Sequence, residues 1–277
     1  YQQLVAVEQG PAQVEAAMRF ADACERAGNP ADARAVLERV YATNRGNDTL
    51  RGRMRALYEK LEASREVASL WMDDAEFAPD DVTRFERLRK AGEVWLDQVG
   101  DAEQAVPLLE QARALKTGDH DITVLLADAY TLTERLEEAT RLLKEAIDAH
   151  KGRRSKELAV LQHRMGRVAY AAGDHQVELA WLSAALDTDM QNGQVAAELA
   201  DVSMELGNYD AATKALRAVT LMKNPAPMTR AQAFLKQGMI SQMQGDAKKA
   251  AFLARKALSE DPNLSDAQEF LAQLGAE

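Results

Sequence analysis

The side chains that most often do chemistry are few in this chain and poorly spaced for it. The four histidines, His120, His150, His163 and His175, form no His-Glu-x-x-His pair and no Cys-His set. The run Gly118-Asp119-His120-Asp121 offers metal-type ligands in a row, but it reads more simply as a turn that caps the next helix. There is no GxxxxGK[ST] phosphate cradle and no GxSxG elbow. Cys24 stands alone, which excludes an internal disulfide and a cysteine-based structural zinc site. No cofactor and no metal are implied. What remains is recognition. His163, Arg164 and Arg167 fall within little more than one helical turn, where they can attract an acidic segment. Leu235, Met239 and Met243 recur every four residues, and flexible, polarizable Met side chains suit an adaptable binding surface. The run Lys151-Gly152-Arg153-Arg154-Ser155-Lys156 reads as a solvated loop.

Helices must position these groups. The 277 residues are 47 % hydrophobic, 28 % charged and only 5 % aromatic, with Ala, Leu, Glu, Arg and Lys abundant. Small and straight-chain residues of this kind favour helices. A formal charge of −10 repels a phosphate backbone over most of the surface, so nucleic-acid binding is disfavoured. No apolar run approaches the length of a membrane span, so no membrane insertion is expected. The sequence opens with YQQLVAV rather than Met, which reads as a processed or trimmed fragment of a larger protein, so the absence of a signal peptide says little about where the parent resides.

One 21-residue skeleton is written twice. LADAYTLTERLEEATRLLKEA begins at Leu126, and LADVSMELGNYDAATKALRAV begins at Leu199. Gly followed by Asn or Asp recurs at Gly28, Gly100, Gly173, Gly207 and Gly245, each read as one helix stopping and another starting. At the first of these Pro30 follows, well suited to a first helical position. Five residues beyond these glycines, or at the matching places in two units that lack one, lie Ala33, Val67, Ala105, Ala139, Glu178, Ala212 and Ala250. Their spacings are 34, 38, 34, 39, 34 and 38. A two-helix period in the mid-thirties marks a helical solenoid. The alternation suggests a double unit, which is why the skeleton returns after 73 residues.

On these residues the sequence resembles the tetratricopeptide repeat (TPR) family. Gly166, Gly238, Ala21, Ala127 and Ala200 match its small residue at position 8. Tyr58 and Tyr130 match position 11, the glycines above match position 15, and Pro79 and Pro262 match position 32. The resemblance implies an all-α, right-handed α-solenoid of about seven repeats in a single domain. The repeats are expected near 14–47, 48–81, 85–119, 120–153, 159–192, 193–226 and 231–264, with a closing helix at 265–275 that Ser265 or Asp266 can cap. Residues 1–13 are expected to be the tail of a preceding repeat, with Val5 and Ala6 packed on the first complete one, and this end is a candidate for self-association. Three departures predict local irregularity: Glu178 where a small residue should pack, Asp74 in place of Ala, and one extra residue between Gly92 and Gly100 followed by Pro107, which should kink its helix. Cys24 falls at a core position, and Trp71, Trp95 and Trp181 read as packing residues.

The family resemblance also implies a concave face, lined by the first helix of each repeat, that holds a peptide or a partner's helix. Two patches would lie there. The basic one comprises Arg89, Lys90, His163, Arg164 and Arg167, with Tyr170 nearby and Asp128 between. It reads either as a clamp for an acidic stretch or as an ion-pair ladder from Arg89 or Lys90 through Asp128 to Arg167. Exposed mixed charges usually solvate one another, which favours the ladder. The apolar patch comprises Met204, Leu235, Met239 and Met243, either an anchor site or packing beneath the closing helix. None of the position-9 residues is Asn, so binding of heat-shock chaperone tails is not implied. The expected function is a non-catalytic protein–protein interaction scaffold, from a source that the Ala- and Arg-rich helices suggest is bacterial. The alternative is a regulatory or substrate-docking segment of an enzyme whose catalytic domain lies elsewhere. An RNA-reading helical repeat shares the period but fails on charge.

Overall fold

The computed structural model describes residues 2–275. Among them are sixteen α-helices, one π-helical segment and no β-strand. The chain divides into two compact units, Tyr1–Thr133 and Glu134–Glu277. The first unit holds α1 (Gln2–Val7), α2 (Gly10–Arg26), α3 (Pro30–Tyr41), α4 (Asp48–Lys60), α5 (Ser64–Glu76), α6 (Asp81–Glu93), α7 (Ala102–Leu115) and α8 (His120–Leu132). The second holds α9 (Leu136–Ala149), α10 (Lys156–Ala171), α11 (His175–Thr188), α12 (Gly193–Glu205), α13 (Tyr209–Leu221), α14 (Arg230–Met243), α15 (Ala247–Glu260) and α16 (Ser265–Gln273). Within each unit, helices packed together are mostly neighbours in sequence, as expected where each repeat touches only the next.

Turn chemistry sets the pairs. The side chains of Asp101, Asp174, Asn208 and Asp246 each accept a hydrogen bond from a first-turn backbone N–H of the helix that follows. Asn29 does not: its amide donates to Asp32 instead, 2.5 Å away, and Pro30 opens α3. The two turns without glycine use glutamates, Glu62 at φ 54° and Glu134 at φ 58°, in the left-handed conformation that Gly28 adopts at φ 74°. Close approach explains the small residues inside the first helices. A Cβ on Gly92 would meet the Leu109 side chain at 2.6 Å, and one on Gly166 would meet Leu182 at 3.2 Å.

Each irregular site has its own resolution. The extra residue before Gly100 is absorbed as a π-helical stretch, Val94–Val99, whose wider turns accommodate one residue more. Pro107 sits inside α7 without interrupting it. Glu178 is buried and accepts a hydrogen bond from His175 Nδ1 at 2.9 Å. At α1, Val5 is buried, but Ala6 is exposed, because adjacent residues on a helix point about 100° apart. No side chain caps α16: Leu264 holds the cap position, and Ser265 and Asp266 fall inside the helix.

Toward its C-terminal end the core of the second unit includes two clusters. One gathers Leu182, Leu186, Val195, Leu199, Leu216, Val219 and Ile240. The other gathers Phe234, Leu235, Leu253 and Ala254 with Ala267 and Phe270 of α16.

Candidate functional site

The basic residues expected on the first-helix face fall in both units. In the first, Arg89 pairs with Glu86 and Lys90 with Glu93, each at 3.1 Å and each within α6; Asp128 lies on α8. In the second, α10 carries His163, Arg164, Arg167 and Tyr170. His163 corrects the expectation of a solvent-facing cation. It is buried, and its Nε2 donates to Glu198 Oε2 on α12 at 2.6 Å. Burial pushes the Glu198 carboxyl up, but hydrogen bonds from His163 and Gln194 outweigh this and hold it below the ordinary carboxylate range. A carboxylate therefore already stands beside the basic cluster. Tyr170 is exposed and rests near the His175 ring, 5.8 Å between centroids.

The apolar residues divide. Leu235 is buried, which corrects its placement on an open surface, and Met239 packs half-buried in the same cluster beneath α16. Met204 packs against the neighbouring cluster, while Met243 is exposed. Leu235 and Met239 nevertheless line a hollow of about 330 Å³ between α12, α14 and the start of α16. Pro227 and Met228 complete its apolar wall, and the Lys236–Asp201 ion pair borders it.

A larger groove, about 730 Å³, lies in the second unit between the second helices α9 and α11, with α10 as its floor. Met165, Val168 and Ala169 of α10 form the base. Leu136 and Thr140 of α9 face Val177 and Trp181 of α11. Arg141, Lys144 and Glu145 stand along the α9 rim. The long α9–α10 connection lies where the repeat spacing stretches to 39 residues, from Ala139 to Glu178. Sequence reasoning identified Trp181 as packing and missed the groove, because the inserted residues signal a longer loop but not which helices it parts.

Charged pairs about one repeat apart, of the kind the sequence reading placed in a ladder through Asp128, also occur at residues outside that ladder. Lys60 meets Glu25 and Arg53 meets Asp22, both at 2.8 Å. Arg34 reaches Glu66 at 2.8 Å, and His163–Glu198 follows the same rule. Partners stand about one repeat apart, so the signal was present as complementary charges at the repeat period. Among the described residues no group of three or more His, Cys, Asp or Glu could hold a metal ion. None of the described helices is long and apolar enough to cross a membrane.

Stacked helix pairs with small residues at their crossings define an α-helical repeat protein built to present surfaces. Residues 1–48 and 98–159 each match the tetratricopeptide repeat, so the chain carries repeats of that family. The C-terminal part of a TPR repeat-containing protein from Cytophaga hutchinsonii superposes with a TM-score of 0.58 at 13 % identity, covering 92 % of this chain and 99 % of that one. A tetratricopeptide repeat protein from Parabacteroides merdae gives 0.51 at 12 % identity, covering 95 % and 98 %. PilF of Pseudomonas aeruginosa gives 0.52 at 16 %, covering 79 % and 94 %. At such identities the likeness is one of fold. No curated protein sequence matches the chain. The fold is that of a protein-interaction repeat scaffold.

Proposed function

We propose that this chain is a non-catalytic scaffold that binds a partner helix or extended segment through its apolar side, in the groove between α9 and α11. The observation that carries the reading is the groove itself: about 730 Å³ lined mainly by Leu136, Met165, Val168, Val177 and Trp181. A hollow of this size and lining suits apolar anchors, while Arg141 and Lys144 on the rim would set their register. A second reading places the partner on the first-helix face, with an apolar anchor in the hollow of Leu235 and Met239 and an acidic stretch toward Arg164 and Arg167. The specific observation in its favour is that Met239, half-buried, still borders open space.

Site-specific photo-crosslinking separates the two. A crosslinker at Thr140 is expected to capture a polypeptide in cells of the source organism, and a second change on the opposite wall, Val177→Trp, which fills the groove, should abolish capture without changing the melting temperature. Capture from Met239 but not from Thr140 moves the site to the first-helix face. Capture from neither position, with the crosslinker shown to be incorporated and active, rejects both.

A further inference from the structure

The second helix α15 carries a surface that neither reading uses. Its inner side is core: Ala250, Ala251, Leu253, Ala254 and Ala257 are all buried. Its outer side is centred on Phe252, which is 63 % exposed, whereas Phe85, Phe234 and Phe270 are each 7 % exposed or less. On a helix the surface neighbours of a residue stand three and four positions away on either side. For Phe252 these are Lys248, Lys249, Arg255 and Lys256, four cations, all exposed. Asp246 lies before the helix, where it caps the Lys249 backbone N–H, and Glu260 closes its last turn. No acid stands between them. Lys256 also lies over the Phe234 ring, 4.2 Å from its centroid, which fixes one cation beside the patch.

We propose that this face of α15 docks an acidic polypeptide segment carrying an apolar side chain that covers Phe252. The argument is charge complementarity around an uncovered aromatic. In a chain with a net charge of −10, the lysines Lys248, Lys249 and Lys256 on one stretch of helix form a local field of opposite sign, which steers a negatively charged partner to this place. An exposed aromatic ringed by polar groups is the anatomy of an interface anchor. A lipid surface fits less well. The inner side of α15 is committed to the core, so Phe252 alone could enter a bilayer. The cations would add only about 1 kcal/mol each. A nucleic acid would meet the acidic remainder of the surface.

The test uses the intact chain and three fluorescent probes: a helical peptide of Glu and Leu at i, i+4 spacing, the same peptide with Ser for Leu, and a thymidine oligonucleotide. Phosphatidylserine vesicles serve as a fourth ligand in a sedimentation assay. The Glu/Leu peptide is expected to bind, with affinity falling as salt is raised from about 50 to about 300 mM. The Ser peptide should bind at least about tenfold more weakly, and Phe252→Ala and Lys248→Glu/Lys249→Glu should each cost the Glu/Leu peptide about tenfold, or about 1.4 kcal/mol. These side chains are exposed, so the melting temperature should stay unchanged; Val177→Trp should leave this binding intact. The proposal is overturned if the Glu/Leu peptide does not bind, if either α15 variant binds it normally, or if vesicles or oligonucleotide bind more tightly through the same residues.

Discussion

Asp74 closes on the guanidinium of Arg51 where neither side chain reaches water: they are 5 % and 1 % exposed. Asp74 occupies a place where the repeat pattern favours Ala, and three arginines answer it. Arg51 reaches it from α4, as does Arg55, and Arg87 of α6 lies 3.2 Å away. Two of these cations also lie over the Trp71 ring, Arg55 at 3.8 Å and Arg87 at 5.2 Å. Arg51 has further partners in Asp48, at 2.5 Å, and the Arg45 carbonyl. A buried pair of this kind is costly to break from one side. Asp74→Ala restores the family's small residue yet removes a buried carboxylate shared by three arginines and leaves Arg51 only its Asp48 and Arg45 partners, so it should destabilise the protein, by up to about 3–5 kcal/mol. Arg51→Leu combined with Asp74→Ala should recover much of that loss. Urea unfolding of both variants decides it. An Asp74→Ala variant as stable as the parent would mean that the arginines find solvent and the cluster is not a structural tie.

The turn at Glu62 lacks the glycine its neighbours have. A non-glycine residue at φ 54° crowds its Cβ against the backbone, at a cost of about 1–2 kcal/mol. Its side chain is exposed. Glu62→Gly removes that strain but loosens the unfolded chain, so the expected gain is about 0.5–1 kcal/mol. A higher urea midpoint with an unchanged helical spectrum is the predicted result. A lower midpoint would assign the Glu62 side chain a stabilising contact.

Two other glycines are required by space. A Cβ on Gly92 would lie 2.6 and 2.7 Å from Leu109 Cδ2 and Cγ, and Leu109 is fully buried. A Cβ on Gly193, in the first turn of α12, would lie 2.2 Å from the Ala226 carbonyl oxygen. Each Ala substitution should destabilise by about 1–3 kcal/mol through overpacking, although Ala is the better helix former. Ala at Gly52, where open space surrounds the Cβ direction, should instead be neutral or stabilising. Thermal melts of the three variants test the contrast.

The fold was legible because the repeat writes its rules in small residues and turns. Ala33, Ala105, Ala212 and Ala250 are all fully buried, and the period alone identifies them. The extra residue before Gly100 also announced an irregularity, although its form, a π-helical stretch, depends on tertiary packing around Trp95 and Leu96. The candidate sites were less legible. His163 looked like a solvent-facing cation because its partner Glu198 stands a full repeat away. Leu235 and Met243 share one helical spacing, yet only Leu235 is covered, because the packing of α16 reaches one and not the other. The groove between α9 and α11 depends on how far two helices part, and no residue type encodes that distance.

Stability should fall in acid, and Glu25 shows the sign. Hydrogen bonds from Lys60, at 2.8 Å, and from Arg53 hold its carboxyl below the ordinary glutamate range, against a smaller opposing effect of burial. Arg34 does the same for Glu66. For Asp119 burial pushes upward, but Lys116 and the Ile122 backbone N–H prevail and lower it. A group whose folded pKa lies below its unfolded value contributes fully above the unfolded value, and that contribution is lost as pH falls through the folded one. Asp97 runs the other way: burial, with Glu93 and Asp128 nearby, raises it, so its ionised form opposes folding and acid relieves it. Asp80, Glu138 and Glu198 are depressed as well, so among the described residues six depressed carboxyls stand against one raised, and the net effect is a loss toward low pH. Glu25→Gln makes the test specific. The variant should melt below the parent near neutral pH, and the two curves should converge as pH falls through the depressed pKa of Glu25, where Glu25 is itself protonated. If the gap between them stays constant across that range, the Glu25 pairs with Lys60 and Arg53 contribute shape rather than charge.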